Sequence, residues 1–184
     1  MITLVAGLAL AFVNEITKQP IENAENQAKL DAYNIVFENG NFESDDKINN
    51  LISSKDFDCT VDEVLKAVDD NDDTVGYVMS ITSPSGYGGD IKIAIGISSK
   101  TDTVTGFTVL SNSETAGLGS RCTDDEFKSQ FKGKSVLQNI KYVKNSSATG
   151  DDEIDAISGA TITTSAVTDA VNTAIDVYNT IKEG

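Results

Sequence analysis

The stretch from residue 74 to residue 110 constrains the fold most. Residues 91–97 read IKIAIGI, alternating one by one with the period of a half-buried strand. Residues 74–81 (TVGYVMSI) and 103–110 (TVTGFTVL) are strand-like on either side, and the link 98–102 has hairpin length. These neighbours predict a mainly antiparallel sheet. Helices pack against it. The strongest is 164–181, where Ala166, Val167, Ala170, Val171, Ala174, Ile175, Tyr178 and Ile181 make one apolar stripe. Residues 62–68 (DEVLKAV) read as a short amphipathic helix. So do residues 124–131 (DDEFKSQF), whose first-turn acids suit the helix dipole. Residues 40–47 read as a polar break, 140–143 as a further strand and 145–152 as a polar loop. No internal repeat is present, and the fold class predicted is α+β.

The start of the chain has a different character. Residues 2–13 (ITLVAGLALAFV) are uncharged and almost wholly apolar. Twelve helical residues reach only about 18 Å, and a bilayer core needs about 20 apolar residues. No basic region precedes them, so they make a poor signal peptide. Two readings stay open: the outer part of a transmembrane helix, or a buried core helix. Pro20 marks a kink or a fresh helix start. Residues 21–37 are loosely helical and mostly polar, as in a juxtamembrane helix leading to the domain. The expected organisation is therefore a membrane anchor and connecting helix over 1–37 and a domain over 38–184.

Composition excludes most residue-driven chemistry. The 184 residues contain no histidine, so no Ser-His-Asp triad or His-ligated zinc site forms. Two cysteines cannot supply a full iron–sulfur ligand set. A net charge of −15 argues against nucleic acid and against lying on anionic lipid. Residues 69–73 (DDNDD) faintly suggest a calcium loop, but the glycine wanted at the sixth position stands at the eighth, Gly76; a solvated turn is the favoured reading, and no metal site is predicted. Cys59 and Cys122 leave a disulfide or two buried thiols open.

Three glycine-bearing motifs remain. Residues 155–165 (DAISGATITTS) set five hydroxyls and Gly159 before the best helix. Free backbone N–H groups and the positive dipole end make such a start a seat for phosphate. Ordinary capping is the alternative, although capping needs only one hydroxyl. Residues 114–119 (ETAGLG) allow close backbone approach to a flat ligand, or form a plain turn. Residues 86–89 (GYGG) offer Tyr87 for stacking, or a plain hairpin entry.

Taken together, the motifs resemble a known family. Asp155-x-x-Ser158-Gly159-Ala160-Thr161 is similar to the signature of FMN-binding domains that carry their flavin covalently, and Glu114-Thr115-x-Gly117-Leu118-Gly119 and Tyr87-Gly88-Gly89 match in order and spacing. The resemblance is greatest to the family of G subunits of Rnf-type ferredoxin:NAD oxidoreductases, with the C subunits of sodium-pumping NADH:quinone oxidoreductases as relatives. The chain departs from the family at Ala116, where proline is usual, and at Asn112, where many relatives carry histidine. The resemblance implies a phosphoester between FMN and Thr161, installed from FAD by a flavin transferase outside the cytoplasm. It implies a domain held to the cell membrane by a single-pass helix, on the extracytoplasmic side, and working with flavin- and iron–sulfur-bearing subunits of an ion-pumping complex. Ser158, Gly159 and Ala160 belong to the attachment motif. Thr163 and Thr164 become candidates for the phosphate, with Lys132 or Lys134 assisting. Tyr87 and Leu118 are candidates for the flavin ring, Glu114 and Thr115 for its polar edge or the ribityl chain, and Gly117 and Gly119 for close approach. No residue acts as a catalyst of its own. A free-standing flavin carrier and a non-redox binding module are the competing functions.

Overall fold

The computed structural model describes residues 2–38, 40–144 and 147–183, the side chains of 2–11, 13, 14, 21 and 22 excepted. Apart from its backbone and Phe12, the expected anchor segment 2–13 thus lies outside the described residues, as do residues 145 and 146 of the expected polar loop. Contacts divide the chain into two units, Met1–Asp31 and Ala32–Gly184.

The first unit consists of most of one helix, α1 (Ile2–Val36). The helix runs through Pro20, so the fresh start expected there does not occur. Residues 15–20 are all exposed, so water can reach the carbonyl that loses its donor, and the proline is tolerated. Among the described residues, no helix is long and apolar enough to cross a membrane.

The second unit is built on a sheet of five strands: β1 (Asn41–Ser44), β2 (Thr60–Val68), β3 (Thr74–Ser83), β4 (Ile91–Ser98) and β5 (Thr103–Ser111). They lie in chain order, every neighbour antiparallel. The α+β class with a mainly antiparallel sheet is thus the observed one. Between β1 and β2 lies a two-turn helix, α2 (Asp46–Ser53). β1 and the first two residues of α2 lie in the 40–47 stretch that reads as a polar break.

Two corrections have one cause. Residues 62–68 are not a helix but most of β2, paired with β3 along its length. Val61, Val64, Leu65 and Val68 stand at i, i+3, i+4 and i+7, the helical spacing. A strand covered on both faces imitates it: Val64 joins the core on one side of the sheet, while Leu65 and Ala67 join the core on the other. Likewise β4 is not half-buried. Ile91, Ile93, Ile95 and Ile97 are fully buried on one face, and Ala94 is fully buried on the other. Burial contributes roughly 1.5–3 kcal/mol for each isoleucine.

The isoleucine face is covered by α4 (Thr161–Glu183), whose Ala166, Val167, Ala170, Val171 and Ala174 are fully buried. The opposite face receives Ala32, Tyr33, Val36 and Phe37, the end of α1 and the residue after it. The Thr105 hydroxyl there donates to the Val36 carbonyl. Beyond β5 the expected 124–131 helix is shorter, α3 (Asp125–Lys128), flanked by 3-10 turns at Gly119–Thr123 and Ser129–Phe131. Phe107, Phe127 and Phe131 pack edge to face there, with centroids 5.0–6.3 Å apart. Two short parallel strands, β6 (Lys141–Val143) and β7 (Glu153–Asp155), then lead the chain into α4.

Candidate functional site

The start of α4 differs from an ordinary helix start. Its first intrahelical bond runs from the Thr164 N–H to the Ala160 carbonyl at 3.0 Å. Ala160 is therefore the capping position, and alanine has no side-chain acceptor. The N–H groups of Thr161, Ile162 and Thr163 precede the ladder. Gly159, just before, sits at φ +79°, a left-handed conformation that glycine adopts freely. The approach to this turn is fixed by Gln130. Its amide accepts the Asp155 N–H at 2.7 Å and donates to the Asp155 carbonyl at 3.3 Å.

The helix start forms one wall of a cavity of about 520 Å³, within the size range of cofactor sites. Gly159, Ala160, Thr161, Ile162 and Thr163 line that wall; Tyr87, Glu114, Thr115, Leu118 and Gly119 line the rest. Three segments far apart in sequence thus meet around one space. Tyr87, Leu118 and Ile162 are exposed at 70%, 46% and 52%, giving the cavity an apolar rim. Among the described lining residues, Glu114 is the only charged side chain.

Glu114 binds the segments together. Its Oε1 accepts the Gly88 N–H at 2.9 Å, and its Oε2 accepts the Thr163 hydroxyl at 2.5 Å. A Cβ on Gly119 would stand 2.2 Å from that Oε2 and 2.6 Å from the Thr163 hydroxyl oxygen, so a larger residue there would displace the Glu114–Thr163 pair. The turn before it is closed by Leu118 and Ser120 N–H groups on the Thr115 carbonyl, at 3.1 and 3.2 Å. Gly117 supplies its left-handed residue, at φ +76°.

Some of the residues that the sequence motifs single out stand elsewhere. Ser158 lies in a neighbouring cleft of about 320 Å³ with Arg121, Gln130 and Asp155. Thr164 is fully buried; its hydroxyl accepts the Ile157 N–H and donates to the Ala160 carbonyl, so it holds the turn and faces no cavity. Gly117 shapes the loop without lining the cavity. Lys134 spends its ammonium on the Gly150 and Glu153 carbonyls, and Lys132 lines a different cleft beside Phe37 and Thr103. An anion at the helix start would therefore be held by backbone N–H groups. Ile162 lines the cavity although the motif containing it gave it no role; an isoleucine set between two threonines at a helix start is a signal that could have found it.

Cys59 and Cys122 are free thiols and both are buried. Burial, with the Glu114 charge second, pushes the Cys122 thiol up to about 11, and burial also raises Cys59. Both are neutral, unreactive core residues at ordinary pH.

Comparison with known proteins adds the family. The FMN-binding domain matches residues 86–176, a span that contains all three motifs. The chain is 33% identical over 191 residues to the G subunit of the Na(+)-translocating ferredoxin:NAD(+) oxidoreductase complex of Acetobacterium woodii, covering 100% of this chain and 89% of that protein. It is 30% identical over 180 residues to the G subunit of the proton-translocating ferredoxin:NAD(+) oxidoreductase complex of Clostridium ljungdahlii, covering 98% and 88%. Among solved structures it resembles that of Shewanella oneidensis NqrC, with a TM-score of 0.56 and 26% identity over 66% of this chain and 61% of that one.

Proposed function

The chain belongs to the family of FMN-binding proteins that includes the G subunits of ion-translocating ferredoxin:NAD(+) oxidoreductase complexes, and from that premise we propose that it is an electron-transfer subunit carrying FMN in phosphoester linkage to Thr161. One observation carries the reading: motif residues from three separated segments line a single cavity at the open start of α4. The group fits what is there. An apolar rim of Tyr87, Leu118 and Ile162 suits a flat aromatic ring, and the N–H groups ahead of the α4 ladder suit a phosphate.

Bound FMN supplies the electron acceptor and donor that the side chains lack. Thr161 is the tether. In the attachment step the threonine oxygen bonds to the FMN phosphorus of FAD, the pyrophosphate bond breaks, AMP leaves and the hydroxyl proton is released. In this reading, as the family resemblance implies, a separate flavin transferase performs that step, and the absence of a histidine base accords with it. Ala160 and Gly159 leave room beside the phosphate, and Glu114 and Thr163 fix the loop that faces it.

In this reading residues 1–37 anchor and connect, and 38–184 form the flavin domain outside the cytoplasm. The domain joins flavin- and iron–sulfur-bearing subunits in a membrane-bound, ion-pumping complex. Apolar residues 2–13 support the anchor. Labelling of an Asn71→Cys variant in intact cells tests the side of the membrane, since the native thiols are buried; labelling only after the membrane is opened refutes it. The mass of the denatured tryptic peptide spanning 145–182, from protein coexpressed with a flavin transferase, tests the linkage. An FMN adduct on Thr161 is expected. An unmodified peptide, or FMN mapped to Thr163 or Thr164, refutes it.

A further inference from the structure

The cavity walls come from 86–89, 114–119 and 159–163, and one side chain reaches all three. Both Glu114 carboxylate oxygens accept bonds, each from a different segment: the Gly88 N–H and the Thr163 hydroxyl. The third segment is its own loop, which crosses it so closely at Gly119 that a Cβ would push the carboxylate aside. The Glu114 N–H is in turn held by the Asn112 side chain at 3.1 Å, which sets where the carboxylate leaves the backbone. A carboxylate accepts from both donors at once, and charge-assisted bonds of this kind are roughly twice as strong as neutral ones.

We propose that Glu114 is the positioning residue that assembles the cavity, pinning the Tyr87 loop and the 114–119 loop to the first turn of α4. In this role the carboxylate is committed to the protein itself and is not a direct partner of the flavin. What the cavity holds rests on the flavin reading; how it is built does not.

Hydrogen exchange on the flavin-free full-length chain separates the two. In Glu114→Ala the Gly88 amide is expected to exchange about tenfold faster, the scale of one charge-assisted bond. The Leu118 and Ser120 amides should follow, while β4 amides stay unchanged. Glu114→Gln should restore most of the protection, because the amide oxygen still accepts from Gly88 and the NH2 group still meets the Thr163 oxygen. Unchanged Gly88 exchange in Glu114→Ala overturns the proposal. If β4 amides also lose protection, Thr163→Val serves instead: it removes one donor, and faster exchange at 115–119 supports the role where no change refutes it. With a flavin transferase present, Glu114→Ala should load flavin about tenfold more slowly with an altered visible spectrum, and Glu114→Gln should recover both. Loss of Gly88 protection with no flavin on the wild-type chain would sink the flavin reading and leave the assembly role standing.

Discussion

Two helices of this chain begin in opposite ways. At α2, Asp45 precedes the first turn, and its Oδ1 accepts the Lys47 N–H at 2.8 Å and the Ile48 N–H at 3.4 Å. At α4, the longer and more deeply buried helix, the equivalent position is Ala160, with no acceptor at all. Nor do the hydroxyls around it fill the gap. Thr163 turns to Glu114, Thr164 to the Ala160 carbonyl and Ser165 towards Asp169. A protein selected for stability alone would cap α4 as it caps α2, since a Ser or Asp cap in place of Ala is worth roughly 0.5–2 kcal/mol. The start of α4 instead has the form of a seat kept for an external acceptor, and tertiary packing secures the helix without a cap.

The largest effect breaks the comparison at its centre. Thr161→Ala should abolish covalent flavin while leaving the fold intact, since one half-exposed hydroxyl is lost. Thr161→Ser should keep partial attachment. Visible absorbance after denaturation reads both, and a coloured Thr161→Ala chain would place the tether elsewhere.

Gly119→Val comes next. Its Cβ would stand 2.2 Å from the Glu114 Oε2 and 2.6 Å from the Thr163 hydroxyl oxygen. Overpacking of this kind costs about 1–3 kcal/mol, here concentrated on the loop that lines the cavity. A shifted flavin spectrum or midpoint potential is expected, with the label still attached through Thr161. An unchanged spectrum and potential would make 114–119 an ordinary turn.

A smaller effect comes from exchanging the two starts. Ala160→Ser would give α4 the cap it lacks and should stabilise the flavin-free protein by about 0.5–2 kcal/mol. It should also slow flavin loading, because the new hydroxyl occupies the N–H groups that the phosphate would use. Asp45→Ala should lower the melting temperature and leave loading untouched. Equal loading in wild type and Ala160→Ser would show that the open N–H groups have no part in seating the phosphate.

How much of the molecule is legible in its sequence follows from which contacts are local. The long strands β3, β4 and β5 and the stripe of α4 show their periods in sequence. The 62–68 segment does not, because a strand buried on both faces puts apolar residues at helical spacing. Residues 41–44 and 46–53 are short, and exist as β1 and α2 through pairing with β2, the Asp45 cap and burial of Ile48 and Ile52 in the core. At the site, all ten described lining residues come from the three motifs, whose glycines and hydroxyls exceed what ordinary turns and a helix cap need. The roles are harder to read. Glu114 and Thr164 are spent inside the protein, and Lys134 on carbonyls, through partners distant in the chain that no local pattern displays.

The smallest effect concerns the capped helix alone. The Lys66 ammonium on its carboxylate, with the Lys47 N–H second, holds Asp45 below the usual carboxylate range. A depressed folded-state pKa gives stability that is present above the unfolded value of about 3.9 and is lost as pH falls through the lower folded value. Asp45→Asn isolates the charge, since asparagine caps as well as aspartate but cannot pair with Lys66. Wild type should therefore melt slightly above Asp45→Asn near neutral pH, and the gap should close on acidification below about pH 3.9. A gap that stays constant with pH would assign the difference to cap geometry instead of the ion pair. Flavin loading should be the same in both proteins at every pH where they are folded, because α2 keeps its acceptor within the chain and α4 does not.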